Sequence, residues 1–176
     1  MSGGELERVI DAGLVEAILA GAWRRDSVLH GETHWRCVAA TGLALADGAP
    51  GSDRGLVLLF GLLHDTRREN EHFDPGHGSR AASYARELVA TGALQLAPRR
   101  VELLCEAIEL HSDGLVSEDP TVAVCWDADR LHLPRVEIDP NPDLFSTALA
   151  REPVRLSAAA RLRGAPPEWA ELLRLA

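Results

Sequence analysis

Gly55 to Leu63 is an almost unbroken apolar run that stops abruptly at His64-Asp65 and gives way to Thr66, Arg67, Arg68, Glu69 and Asn70. A run that is apolar on every side has no solvent face, so the rest of the domain must surround it. Val57 is its only β-branched residue, which favours helix over strand. The two polar residues then emerge at the buried end of a central element, where an unpaired charge is costly. Something has to compensate the carboxylate, and an imidazole beside a carboxylate is half of a metal site.

The chain of 176 residues suffices for one domain with a real core and is short for two. We therefore read residues 1–176 as a single domain. A formal charge of −9 argues against general nucleic-acid binding, which rests on a positive surface. It leaves room for a small anionic substrate in a local basic pocket, and the cations are nearly all arginine, the better side chain for bidentate phosphate contacts. Cys37, Cys105 and Cys125 are odd in number and lack CxxC spacing, so they read as core residues of a reducing compartment. The N-terminus has no basic start or apolar signal core, and no run reaches membrane-spanning length. A cytoplasmic protein without membrane contact is expected, with monomer and homo-oligomer both left open.

Taken in order, Glu5 to Ala20 carries a helical apolar stripe. Ser27 is a candidate cap for a second helix over Val28 to Ala46, with His34, Val38, Thr41 and Leu45 on one face. The central helix follows a turn-rich break, Ala46 to Asp53. After a polar loop, His77 opens a helix to Val89, with Arg80, Ala81, Tyr84 and Leu88 below it. Pro98 starts the next, aligning Val101, Leu104, Ile108 and His111. Thr121 to Leu131 is a helix or buried segment. A helix is expected around Leu144 to Arg151, with an amphipathic tail over 152–176 packed on the core. No segment alternates with period two, so the predicted fold is all-α, in six or more helices.

His34, His64, Asp65, His77, His111, Asp127 and Asp129 fall at helix ends or on inward faces. One buried histidine is more often a hydrogen-bonded core residue than a ligand. Four on converging faces, with acids embedded in apolar sequence, make a core that is hard to keep folded unless a divalent ion neutralises the acids and takes the imidazole lone pairs. His30, His72 and His132 lack such placement and read as surface or supporting residues, with His30 one turn before His34 and able to orient it. Helical phase does not decide whether Asp127 or Asp129 is the ligand.

The order His34, His64-Asp65, Asp129 resembles the HD-domain superfamily of metal-dependent phosphohydrolases over roughly residues 28 to 151. The motifs are His34-Trp-Arg-Cys-Val38, Leu62-Leu-His64-Asp65 and Asp127-Ala-Asp129-Arg130-Leu131. The last is similar to the Ala-Asp-Arg-Leu segment of hydrolases acting on guanosine tetraphosphate. The resemblance implies an HD-type helical bundle with a metal site between its central helices. It places the ligand at Asp129 and leaves Asp127 as a supporting residue or alternative ligand. Members with two metals add histidines from intervening helices, and His77 and His111 occupy such positions, so one or two divalent ions (Mn, Fe, Co, Ni, Zn or Mg) are implied.

The implied activity is hydrolysis of a phosphate ester or anhydride in a nucleotide or similar small molecule, with water activated by the metal. Asp65 and His77 are the candidate catalytic residues. Arg68, Arg80 and Arg130 are candidate phosphate clamps, each close in sequence to a ligand. Some relatives place a glutamate where this chain has Arg68, and Glu69 is one place late, which moves the acid role toward His77 or water. Two alternatives share the ligand set: a di-iron oxygenase cleaving a C–C or C–P bond, similar to myo-inositol oxygenase, and a non-catalytic nucleotide-sensing module.

Overall fold

Asp11, Asp53 and Asp119 each stand just before a helix, and each carboxylate accepts from N–H groups of the first turn, which otherwise lack partners. The computed structural model describes residues 10–176. Its helices are α1 (Ala12–Gly21), α2 (Glu32–Ala46), α3 (Arg54–Leu63), α4 (His77–Ala90), α5 (Pro98–Leu110), α6 (Pro120–Arg130), α7 (Pro153–Gly164) and α8 (Trp169–Leu175), with 3-10 turns at Leu133–Val136 and Pro142–Leu144. Among the described residues every regular element is helical, so the fold is all-α.

The apolar run is α3, and none of Leu56, Val57, Leu58, Leu59, Phe60, Leu62 or Leu63 is more than 1% exposed. Helices α1, α2, α4, α5 and α6 all contact it. Burying such side chains contributes about 1.5–3 kcal/mol each. Asp53 also joins three helices. Its carboxylate takes the Arg100 guanidinium of α5 at 2.8 and 2.9 Å, and its N–H donates to Thr121 Oγ1 of α6 at 3.0 Å.

Two glycines set the helix spacing. A Cβ on Gly61 of α3 would stand 2.6 Å from Ala39 Cβ and 2.8 Å from the Ala39 backbone of α2. A Cβ on Gly78 of α4 would stand 2.5 Å from the Glu109 carbonyl of α5. Both contacts involve atoms that no rotamer change can move aside. The first seam draws His34 and His64 together, and the second draws His77 and His111 together.

Three expectations need correction or completion. Helix α2 begins at Glu32 rather than Val28. Ser27 Oγ instead accepts from His30 N–H at 2.8 Å and donates to Glu71 at 2.7 Å, fixing a turn ahead of the helix. No helix spans Leu144 to Arg151; the chain runs through turns there. Asp127 captures the N–H groups of Ser146 and Thr147 at 2.7 Å each, while Arg130 and Arg151 donate to the carbonyls of Leu144 and Phe145 at 2.7 Å each. Those side-chain bonds replace the helical ones. The first helix is seen from Ala12, and residues 5–9 of the expected span lie outside the described residues.

At the other end, α7 packs against α2, and α8 against α1 and α2. Trp169 donates to Glu32 at 3.1 Å, and Arg36 pairs with Glu168 at 2.6 Å. Cys37, Cys105 and Cys125 are buried and unpaired. No helix among the described residues is long and apolar enough to cross a membrane.

Candidate metal centre

Five helices deliver their ends or inner faces to one place. His34 comes from the first turns of α2, His64 is the residue that ends α3, and Asp65 follows it. His77 opens α4, His111 ends α5, and Asp129 lies in the last turn of α6. All six are buried.

The imidazoles are oriented by their backbone surroundings. His64 Nδ1 lies 3.1 Å from the carbonyls of Phe60 and Gly61, His111 Nδ1 lies 2.6 Å from Ile108 O, and His77 Nδ1 bonds Asp74 O. A carbonyl only accepts, so in each ring Nδ1 carries the proton and Nε2 presents a lone pair. Yet His77 Nε2 and His111 Nε2 are 2.9 Å apart, and His64 Nε2 lies 3.2 Å from His34 Nε2. Two lone pairs at that distance repel unless a proton or a metal cation lies between them.

Asp65 stands between the two pairs. Its Oδ2 is 3.9 Å from His34 Nε2 and 3.8 Å from His64 Nε2, and its Oδ1 is 3.2 Å from His77 Nε2 and 3.7 Å from His111 Nε2. Asp129 Oδ1 joins the first pair at 3.2 Å from His34 Nε2 and 3.8 Å from His64 Nε2, and it is buried without a hydrogen-bond donor. Bonds of about 2.0–2.1 Å to one ion separate neighbouring ligand atoms by about 3.0–3.4 Å. His34, His64 and Asp65 form one group that could hold a metal ion, and Asp65, His77 and His111 form another, with the ligand atoms of each group within 4.8 Å of one another.

Electrostatics suit the same use. Burial works against the charged form of Asp65, but His64, His111, His30 and Arg68 outweigh it and hold the carboxyl well below its usual range. Asp129 behaves likewise, burial being outweighed by His34, Arg135 and His64. Burial, then Arg135, drives His34 well below its ordinary value, and burial also lowers His64. Burial followed by the His111 charge takes His77 down to about 4. His111 alone moves up, because Asp65 and Asp129 overcome its burial. Ionised carboxylates facing His34, His64 and His77, whose neutral forms burial favours, are the protonation states that metal binding requires, and His111 would have to give up its proton to join them.

A cavity of about 660 Å³ opens onto this cluster. Arg68 lines it, with Nε on Asp65 Oδ1 at 3.2 Å and Nη1 on His72 O at 3.3 Å. Arg80 points elsewhere. It grips both Asp74 oxygens at 2.6 Å and donates to Arg67 O at 3.1 Å, so it fixes the turn that presents His77. Arg130 also reaches the cavity, but its two terminal nitrogens bond the carbonyls of Leu144 and Leu115. Asp127 is excluded from the cluster by its bonds to Ser146 and Thr147, and burial raises its pKa. His77 Nδ1 is held by the Asp74 carbonyl, and its Nε2 lies 2.9 Å from His111 Nε2 and 3.2 Å from Asp65 Oδ1.

Arg135 escaped the sequence reading, and His30 supports a different neighbour from the one expected. Arg135, in the 3-10 turn after Pro134, lies 3.8 Å from Asp129 Oδ1 and 3.3 Å from His30 Nδ1, and donates to Leu29 O and His132 O. Nothing in its local spacing announced it. His30 is buried and lines the cavity, with Nδ1 3.3 Å from Asp65 Oδ2, so it braces Asp65 rather than orienting His34. His132 is fully buried on Thr41 Oγ1 at 2.8 Å, and His72 is exposed.

The fold and site thus define an α-helical protein with a buried histidine–aspartate cluster able to hold metal. No protein-family model matches the chain, and no curated protein or solved structure does either.

Proposed function

We propose that the protein is a metal-dependent phosphohydrolase of the HD-domain type, acting on a phosphate ester or anhydride of a nucleotide or similar small molecule. One observation carries the reading: the carboxylate of Asp65 stands between two pairs of imidazoles whose Nε2 atoms face each other at 3.2 and 2.9 Å. His34, His64, Asp65 and Asp129 would hold one divalent ion, and Asp65, His77 and His111 a second. Bound there, such ions supply Lewis acidity toward a phosphoryl oxygen and lower the pKa of water.

The chain's own groups do the rest. Arg68 and Arg135 line the cavity beside Asp65 and Asp129, where they bind and orient an anionic phosphoryl group. His30 takes the proton-handling role expected of His77, since it lines the cavity and lies outside both ligand groups. His30→Gln should lower kcat by about 10²–10⁴-fold on phosphate esters while metal content stays unchanged. Turnover assays on a panel of nucleotides and simple phosphomonoesters with Mn²⁺ or Co²⁺, alongside elemental analysis, check both halves. No turnover of any phosphate ester by metal-loaded wild type would overturn the reading.

The same four imidazoles and bridging carboxylate also suit a di-iron oxygenase. Coloured, iron-loaded protein that consumes O₂ with its substrate would favour that chemistry; colourless protein active with Mn²⁺ favours hydrolysis.

A further inference from the structure

A second cavity, of about 510 Å³, lies against α2 and is lined by His34, Arg36, Arg135 and Arg163. Three of its lining residues carry a buried nitrogen without a hydrogen-bond partner: His34 Nδ1, Arg36 Nε and Arg163 Nη1. His34 is 4% exposed, and its other nitrogen, Nε2, faces His64 and Asp129. Buried nitrogens without a partner on three residues that line one cavity are a costly arrangement, which a ligand rich in acceptors relieves wherever the nitrogen carries a proton.

The charges point the same way. Four arginines line the cavity, Arg25 being the fourth, against two acids, Asp26 and Glu32. Glu32 is already held by Arg25 at 2.6 Å and Trp169 at 3.1 Å. Arg36 gives its Nη1 to Glu168, and Arg135 approaches Asp129. Arg163, on α7, forms no ion pair among the described residues, yet it lies close enough to influence both Cys37 and His132.

We propose that this cavity binds a small oxyanion, a phosphate or carboxylate group, with Arg163 as its principal counter-charge and His34 Nδ1–H and Arg36 Nε–H as directed donors. Such an acceptor fixes the His34 tautomer that leaves Nε2 free toward Asp129, and it raises the basicity of that nitrogen. Oxyanion occupancy therefore tightens metal binding at His34. This coupling rests on the metal reading above, whereas the binding itself does not.

Calorimetric titration of the full chain with inorganic phosphate tests the site, on wild type, Arg163→Gln and Arg68→Gln, with the ¹⁵N signal of His34 Nδ1 followed in parallel. The expected result is saturable binding that Arg163→Gln weakens at least about tenfold and Arg68→Gln retains, with a His34 shift that vanishes in Arg163→Gln. Arg163→Lys should keep part of the affinity, and Arg36→Gln serves if the first variant fails to fold. Repeating the titration with a nucleoside monophosphate separates sources: the same dependence on Arg163 means a larger ester's phosphate enters, and its absence restricts the site to free oxyanions. No saturable binding, or binding that depends on Arg68 and not Arg163, would overturn the proposal and leave the three donors to water. Failure of metal to bind at His34 would remove the coupling without touching the phosphate result.

Discussion

Asp65→Ala should abolish metal retention and lower turnover by about 10³-fold or more, the largest single-residue effect expected in this protein. Among the described residues, Asp65 is the one carboxylate within 4 Å of both imidazole pairs, with Oδ2 toward His34 and His64 and Oδ1 toward His77 and His111. Its loss leaves four buried imidazoles with only Asp129 to balance bound cations. Losing the several kcal/mol that metal ions contribute to transition-state charge stabilisation corresponds to that factor, at about 1.36 kcal/mol per tenfold. Glu69→Gln is the matched control, because that carboxylate is 60% exposed and outside the cluster. Elemental analysis and turnover of both variants, with far-UV circular dichroism for fold, make the comparison. Asp65→Ala that keeps its metal and its rate would contradict the bridging role.

Gly61→Ala should destabilise the protein and weaken metal binding together. Alanine is favoured over glycine inside a helix by about 1 kcal/mol, so propensity alone argues for a more stable protein. Overpacking opposes it with a cost of about 1–3 kcal/mol or more, and here the new methyl meets Ala39 backbone atoms at 2.8 Å. Relief requires α2 and α3 to move apart, and those helices carry His34 and His64, whose Nε2 atoms now lie 3.2 Å apart. Gly164→Ala offers the contrast, since a Cβ there meets nothing within 4 Å and should be neutral or slightly stabilising. Urea denaturation and metal titration of the two variants check it. Equal stability in both would mean that the α2–α3 seam does not set the site.

Much of this was legible in the sequence because it is local. The apolar run with its polar end identifies the central helix, and Pro98 marks where α5 begins. The histidines that meet at the cluster stood on inward stripes or at helix ends. What escaped depends on contacts distant in sequence. His30 and Arg135 are 105 residues apart and meet at Nδ1 and Nη2. Arg80 looked like a phosphate clamp by its spacing from His77, but Asp74 claims it. Leu144 to Arg151 has adequate helix propensity, and it stays irregular because Asp127, Arg130 and Arg151 bind its backbone. Asp127 and Asp129 sit two apart on one helix and face different neighbours, a distinction that needs both partners in view.

The central claim is that two pairs of imidazoles share one carboxylate around two ions. Elemental analysis of wild type and His77→Ala, each purified without added metal and again after incubation with Mn²⁺, tests it most directly. Two ions per chain in wild type and one in His77→Ala is the expected result. No bound metal in wild type under either condition would contradict it.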